Sequence, residues 1–436
     1  MNFNRIVSLT HTSNPNLRPL GAFEEMLWLA DQHRPLHFLL AAEVAGSTKI
    51  EDWRRALGEL QRRHPLFSVR IERNGNSRPS FRKDSSAAIP LRIVQADNAT
   101  RRWELEAELE LSLPFGPAQA PLVRAVLLHE ERRSVCLLVT HHSIADGRSV
   151  SFAIRDWIEA LAGRPLHPLP VIPSHEEMLG VTADETNGPV PTHQTDSPAV
   201  QPAAFVEADQ LRPRVKSWPL TVELSTRLRV RARQEGTTVH GALSAAFVLA
   251  FWEVLGEVRT EPLRILSPID TRQSLGLGDD CALLVDAAAV TFEPPEATTF
   301  WEIARTAMAR LRPAQRLENI TAARRGFHLI MQQGVDVPAA ANMLAQGFAH
   351  EILLSNLGNL PYPTDFGKLR LEAVWGPIVS SRLKDAHTVG VTTTNGVLRL
   401  IQSSFAPPET LLETVEEILI TACATRRQVT LAQLPS

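Results

Sequence analysis

Cysteine is scarce, with three residues in 436, Cys136, Cys281 and Cys423, and these lie far apart. Neither a disulfide framework nor a CxxC metal or redox pair can be assembled from them, and such sparse use fits a reducing compartment. Neither sign of charge is in excess: 45 Lys and Arg stand against 48 Asp and Glu, a formal net charge of −3. That balance supplies no global basic field for nucleic acid and no acidic tail. No run of roughly 18 apolar residues occurs, so no segment is expected to span a bilayer. Met1 to Leu20 mixes Asn, Arg, His and Pro without the apolar core of a signal peptide, and the C-terminus carries no lipidation motif. The expectation from these absences is a soluble cytoplasmic protein.

What is present is globular: 44% hydrophobic and 21% charged residues, close to the average for folded domains. The length is about three times the usual ~150 residues per domain, so two or three domain-sized units are expected. Proline is over-represented, 31 of 436, and many prolines fall between Gly180 and about Val215. That stretch is also rich in Thr, Asp and Ala and shows neither helical nor strand periodicity, so it reads as a connection. The division expected is an N-terminal half over 1–180, a proline-rich connecting loop over 181–216 and a C-terminal half over 217–436.

Both halves interleave helices and strands. In the first, Ala22 to Ala30 suits a helix. Trp53, Ala56, Leu57 and Leu60 recur at i, i+3, i+4 and i+7 on one face of another, which Pro65 ends. Phe67, Val69 and Ile71 alternate with polar residues, and Asn74-Gly75 gives a turn signal before Ser80-Phe81. Ser134 to Thr140 reads as a strand buried on both faces. The next helix carries Val150, Ala153, Ile154, Trp157, Ile158 and Leu161, with Ser149 available as N-cap and Gly163 and Pro165 as the stop. In the second half, helices are expected over Leu224 to Gln234, Val239 to about Leu255 and Pro407 to Cys423. Strands are expected over Leu263 to Ile269, Ala287 to Phe292, Glu351 to Ser355, Leu369 to Val374, Thr388 to Thr393 and Val397 to Ile401. Asn395-Gly396 between the last two is the strongest hairpin signal in the chain. The fold class expected is mixed α/β.

One stretch carries chemistry: His141-His142-Ser143-Ile144-Ala145-Asp146-Gly147-Arg148-Ser149, set between the buried strand and a capped helix, where a loop presents side chains from a rigid scaffold. Adjacent histidines leaving a strand point to opposite sides, so one faces a cleft while the other packs. Gly147 either takes φ > 0 or lets backbone or ligand approach closely. By composition alone, such a pair is more often hydrogen-bonded structure than catalysis. Two histidines and an aspartate would also supply three metal ligands, but HHxxxD is not a common zinc spacing and no matching His/Cys pair follows. A Ser-His-Asp triad lacks its GxSxG elbow, and Ser143 shares the short loop with its supposed base.

HHSIADG resembles the HHxxxDG motif of the chloramphenicol-acetyltransferase-like superfamily, which includes the condensation domains of nonribosomal peptide synthetases and the polyketide-associated acyltransferases. Three further elements resemble the family in order. Arg63-His64-Pro65-Leu66-Phe67 is similar to its RHPxLR-type element, Ser267-Pro268-Ile269-Asp270-Thr271-Arg272 to its P-x-N/D-x-R element, and Ser355-Asn356-Leu357-Gly358 to the SN-x-G turn of the acyltransferase branch. Together they run from residue 63 to 358. The resemblance implies two similar halves arranged as a V-shaped pseudodimer, with a tunnel between them.

The resemblance also implies roles. His142 matches the family's general base, and its imidazole suits proton abstraction near neutral pH. Asp146 matches a residue that is mainly structural and commonly paired with arginine, for which Arg272 is the candidate partner. His141 is expected to pack, Gly147 to keep the wall small, and Asn356, positioned with Ser355, to contact the tetrahedral intermediate. No cysteine or serine sits in a nucleophile setting, which favours direct attack over an acyl-enzyme. Cys136 is expected to be inert core. Arg227, Arg229, Arg231 and Arg233 are expected to form a solvated helix surface, the alternative being contact with a carrier protein or CoA phosphates.

Two departures stand out. The tyrosine that many polyketide-associated acyltransferases carry about fifteen residues after the aspartate is replaced by Leu161. Of the plant-type DFGWG motif only Asp365-Phe366-Gly367 is present. The function implied is acyl transfer from a phosphopantetheine thioester, acyl-CoA or acyl-carrier protein, to an alcohol. Alternatives are amide formation by a free-standing condensation domain, a non-catalytic carrier-protein docking module and epimerisation. Neither a metal nor a permanently bound cofactor is expected. The partners expected are CoA or a carrier protein on a separate chain, and a small alcohol or amine.

Overall fold

The structure is a computed structural model that describes residues 16–75, 77–95, 103–181, 212–255, 262–294, 298–383 and 385–424. In the first half the elements are β1 (Asn16–Pro19), α1 (Ala22–His33), β2 (Phe38–Ala45), α2 (Ile50–Arg63), β3 (Val69–Glu72), β4 (Ser80–Lys83), β5 (Leu91–Gln95), α3 (Trp103–Ser112), β6 (Val123–His129), β7 (Arg133–Thr140), α4 (Gly147–Leu161) and the one-turn α5 (His175–Met178). The second half supplies β8 (Arg214–Pro219), α6 (Val222–Gln234), α7 (Val239–Leu255), β9 (Leu263–Asp270), α8 (Arg272–Leu275), β10 (Val285–Phe292), α9 (Phe300–Leu311), α10 (Leu317–Met331), α11 (Val337–Gly347), β11 (Ile352–Asn359), β12 (Arg370–Val379), β13 (His387–Thr394), β14 (Val397–Ser404) and α12 (Leu411–Ala424). Most of the expected connecting loop, 182–211, lies outside the described residues, and β8 begins at Arg214, inside that stretch.

The expected mixed α/β architecture is present, as two lobes built on two large sheets. The first has the order β12-β2-β7-β6-β5 and the second β10-β9-β11-β13-β14-β8, with β1, β4 and β3 as a small third sheet. Each large sheet carries its own apolar core. In the first lobe Trp53 of α2 and Trp157 of α4 are fully buried and meet edge to face at 5.2 Å. In the second, α7 is buried from Gly241 to Phe251 under α9 and α12. The all-round apolar character of that stretch is what such a position demands, since every side of it meets protein.

The first sheet completes itself with a strand from the second half of the chain. β12 runs antiparallel to β2, Val379 opposite Phe38 and Arg370 opposite Ala45, and its register shifts between Trp375 and Ile378. Gly376 sits in that bulge at φ +137, a conformation open to glycine but strained for other residues. The sequence places this strand over Leu369 to Val374; it continues five residues further, through Gly376-Pro377, because the bulge absorbs the proline.

One helix cap and one helix start differ from expectation. The N-cap of α4 is Asp146 and not Ser149, and Asp146 accepts a hydrogen bond from the Ser149 backbone N–H at 2.8 Å. An aspartate three residues ahead of a free N–H is the stronger cap, and it starts the helix one turn earlier. Of the two alternatives at Gly147, positive φ is not taken and close approach is. The last helix begins at Leu411, four residues after Pro407. The Asn395-Gly396 turn forms as expected, both residues at positive φ (53 and 75), joining β13 to β14.

Candidate active site

β7 ends at Thr140 and the chain turns at once, the His141 N–H donating to the Leu122 carbonyl. The two histidines then separate. His141 is buried, its Nδ1 accepting from the Ser143 N–H and hydroxyl at 3.1 and 2.8 Å. Those bonds leave the proton on Nε2, which lies 3.3 Å from Asp31 of α1. His141 is therefore buried against the loop and ties it to α1.

His142 turns the other way and lines a cavity of about 230 Å³ between the lobes. Its Nδ1 lies 3.1 Å from the Ala145 carbonyl oxygen, which can only accept. The ring proton is thus held on Nδ1, and the Nε2 lone pair is the free one. Phe38, opposite Thr140 in the β2–β7 register, packs on the imidazole with centroids 4.6 Å apart. Burial disfavours the imidazolium more than the charge of Asp146 favours it, and holds the pKa of His142 below its ordinary value.

Asp146 is braced across the lobes. Its Oδ1 accepts from the Ser149 N–H, and its Oδ2 accepts from the Leu284 N–H at 2.8 Å and from Arg272 Nη1 at 3.0 Å. Arg272 also donates to Asp270 at 2.9 Å and to the Ser149 hydroxyl at 2.7 Å, and that hydroxyl donates to the Ala282 carbonyl. Burial alone would raise the Asp146 carboxyl; Arg272 and the two backbone donors outweigh it, and the net shift is downward. The structure thus joins Asp146 and Arg272, residues 126 positions apart, as the resemblance implied. The carboxylate is spent on holding the loop.

Gly147 begins α4 against β12. A Cβ there would stand 2.5 Å from the Pro377 ring, so the close approach is to protein, and Gly147 and Pro377 together form cavity wall. Ser355 and Asn356 of β11 line the same cavity, and the Asn356 side-chain oxygen accepts from the Gly358 N–H at 2.8 Å, shaping the turn. Arg63 and His64 do not reach the cavity. Both donate to buried Asp156 of α4, at 2.5 and 2.9 Å, and lock α2 onto α4 behind the loop. The Cys136 thiol is buried and pushed up to about 12, and burial raises Cys281 too, so neither offers a thiolate. On α6, Arg227 pairs with Glu223 at the surface, while Arg231, half-buried against the Trp301 ring, pairs with Glu235. Among the described residues no group of His, Cys, Asp and Glu is arranged to hold a metal ion, and no single helix is long and apolar enough to cross a membrane.

Several cavity residues were not singled out from the sequence. Arg148 lines it, donating to the Leu357 carbonyl at 2.6 Å and lying 3.6 Å from the Asp270 carboxylate. Pro377 arrives on β12, and Gly-Pro inside an apolar run was the signal for it. Phe23, Leu27 and Ala30 of α1, with Ala341, Leu344 and Ala345 of α11, are ordinary helix-face residues whose position only packing reveals.

The profile of the Condensation domain family matches residues 29–175, and that of the phthiocerol/phthiodiolone dimycocerosyl transferase C-terminus matches residues 209–406. The chain is 24% identical over 306 residues to bacitracin synthase 2 of Bacillus licheniformis, covering 65% of this chain and 11% of that protein. It therefore spans about a tenth of the length of that relative. Among solved structures, the polyketide synthase associated protein 5 from Mycobacterium tuberculosis superposes with a TM-score of 0.66 at 17% identity, covering 94% of this chain and 98% of that one. The first condensation domain of the CDA synthetase superposes with a TM-score of 0.69 at 18% identity, covering 97% and 100%. These likenesses extend over both lobes and share their two-lobed mixed α/β architecture. The first half of the chain is thus similar to condensation domains and the second to the C-terminus of the dimycocerosyl transferases, and one loop braces the two halves together.

Proposed function

We propose that the protein transfers an acyl group from a phosphopantetheine thioester, acyl-CoA or acyl-carrier protein, to an alcohol, with His142 Nε2 as the general base. The observation that carries this reading is the tautomer. With Nδ1–H tied to the Ala145 carbonyl, the free lone pair belongs to the ring atom available to the cavity. There it accepts the proton of the acceptor hydroxyl as its oxygen attacks the thioester carbonyl. Collapse of the tetrahedral intermediate then breaks the C–S bond, and the proton passes from Nε2 to the departing thiolate. Asp146 and Arg272 are positioning residues in this scheme. They hold the loop that presents His142 and bridge the two lobes on either side of the substrate path.

Amide formation is the second reading, favoured by the match of residues 29–175 to the Condensation domain profile. The base serves an amine acceptor equally well, so a panel of acyl thioesters offered with alcohols and with amines, analysed by mass spectrometry, separates the two. His142→Ala is expected to lower turnover roughly 10²–10⁴-fold with the fold intact. Thiol release at the wild-type rate would overturn the assignment. The neutral imidazole is the active form, so kcat/KM is lost as pH falls through its pKa. Because that pKa is lowered, the acid limb is expected below about 6.5; a pH–rate profile with its midpoint above that value would contradict the buried-base geometry.

A further inference from the structure

The cavity is not equally polar around its circumference. Arg148, Asp270, Ser355 and Asn356 lie on walls from α4, β9 and β11. The α1 and α11 helices present hydrocarbon: Phe23, Leu27 and Ala30 at i, i+4 and i+7 on α1, and Ala341, Leu344 and Ala345 at i, i+3 and i+4 on α11, with Arg34 at the C-cap of α1 and His350 after α11 as the polar groups at their ends. These spacings put each trio on one helix face, and the two helices pack together. Beyond them stands an aromatic wall. Phe348 stacks on Phe327 with centroids 6.0 Å apart and planes 7° from parallel, and Phe23 leans on both at 5.0 and 6.0 Å. Arg324, wholly buried and 4.1 Å above the Phe23 ring, fixes that ring from behind while donating to Asp286. Such a wall does not give way easily.

Alanine is the unusual choice here. At a helix–helix contact in a close-packed interior, a larger aliphatic side chain would recover dispersion contacts that alanine leaves unmade. Three alanines facing a cavity that also reaches His142 instead keep a space open next to the proposed base.

We propose that the α1–α11 side of the cavity binds a straight hydrocarbon chain of the substrate, and that Ala30, Ala341 and Ala345 set the length it accepts. The proposal rests on the acyl-transfer reading for the link to chemistry but not for binding. The chain enters past His142, runs along the cavity face that the two packed helices share and stops against Phe348. Its source is either the acyl group of the thioester or the alkyl part of the acceptor.

The test measures binding calorimetrically in the His142→Ala protein, which avoids turnover. One series uses straight-chain acyl-CoA thioesters of about two to twelve carbons, the other 1-alkanols over the same range. In one series affinity is expected to rise about fourfold per methylene until the space is full. Ala341→Leu and Ala345→Leu should each end that rise roughly two to three methylenes earlier, and Leu344→Ala should extend it. Gln346→Ala, exposed on the same helix, should leave the profile unchanged. Because Leu344→Ala removes atoms, it keeps the proposal exposed to refutation should the leucine variants fail to fold. The series that responds identifies the source of the chain. A flat profile in both series, or a profile indifferent to Leu344→Ala, overturns the proposal. Length-dependent binding in a wild-type protein that never releases thiol would sustain it and sink the transfer reading instead.

Discussion

Each lobe sends one strand of an antiparallel pair into a helix. In the first, β6 and β7 lead into α4; in the second, β13 and β14 lead into α12. The backbone arrangement is alike, but the two junctions differ in content. The first junction holds two histidines, a buried aspartate cap and a glycine, and its hydrogen bonds cross to Arg272, Ala282 and Leu284 of the other lobe. The second holds Phe405, Ala406, Pro407, Pro408, Glu409 and Thr410, with Ala406, Glu409 and Thr410 exposed and no histidine or aspartate. One connection is tied down across the lobes and the other is left at the surface. A fold supplies the place, and only the residues grafted on it decide whether the place does chemistry.

The contrast can be attacked at three points. Arg272→Met removes one partner of a buried pair and leaves the Asp146 charge uncompensated, so stability should fall by about 3–5 kcal/mol in denaturant unfolding. A loss below about 1 kcal/mol would mean that the backbone donors of Ser149 and Leu284 suffice and that the arginine is dispensable. Gly147→Ala drives a methyl into Pro377 and should cost about 1–3 kcal/mol, with reduced activity from the displaced wall. Unchanged melting and turnover would show that β12 yields there. Glu409→Ala, at the other junction, should stay within about 0.5 kcal/mol and leave turnover alone. A larger effect would mean that the second connection also carries a function.

Much of this was legible beforehand, for identifiable reasons. The α2 and α4 faces, the β7 run and the Asn395-Gly396 hairpin are local patterns, and local patterns survive being read without the rest of the chain. The pairing of Asp146 with Arg272 followed from resemblance, not from any spacing. What could not be read is what depends on two distant segments meeting. Ser149 looked like the cap because serine is a good one, but Asp146 begins the helix because it is held by the other lobe. The glycine at 147 left positive φ and close approach both open, and only packing shows that the close approach is to a proline 230 positions later. Arg63 and His64 matched a motif without revealing that their work is to grip Asp156.

The sequence alone determined the element types, the mixed α/β class and the loop on which a base can sit, because periodicity, turn residues and a seven-residue motif are written in neighbouring positions. It also allowed at most one of the two histidines to face a cleft, although the turn after β7, and not strand alternation, is what separates them. Tertiary structure decided the rest: that β12 crosses to complete the first sheet, that Asp146 is consumed by bracing, that Nδ1 of His142 is the protonated atom, and that three alanines face a common cavity. Each of these is a relation that packing creates, most of them between groups far apart in the chain, and such relations exist only once the lobes have come together.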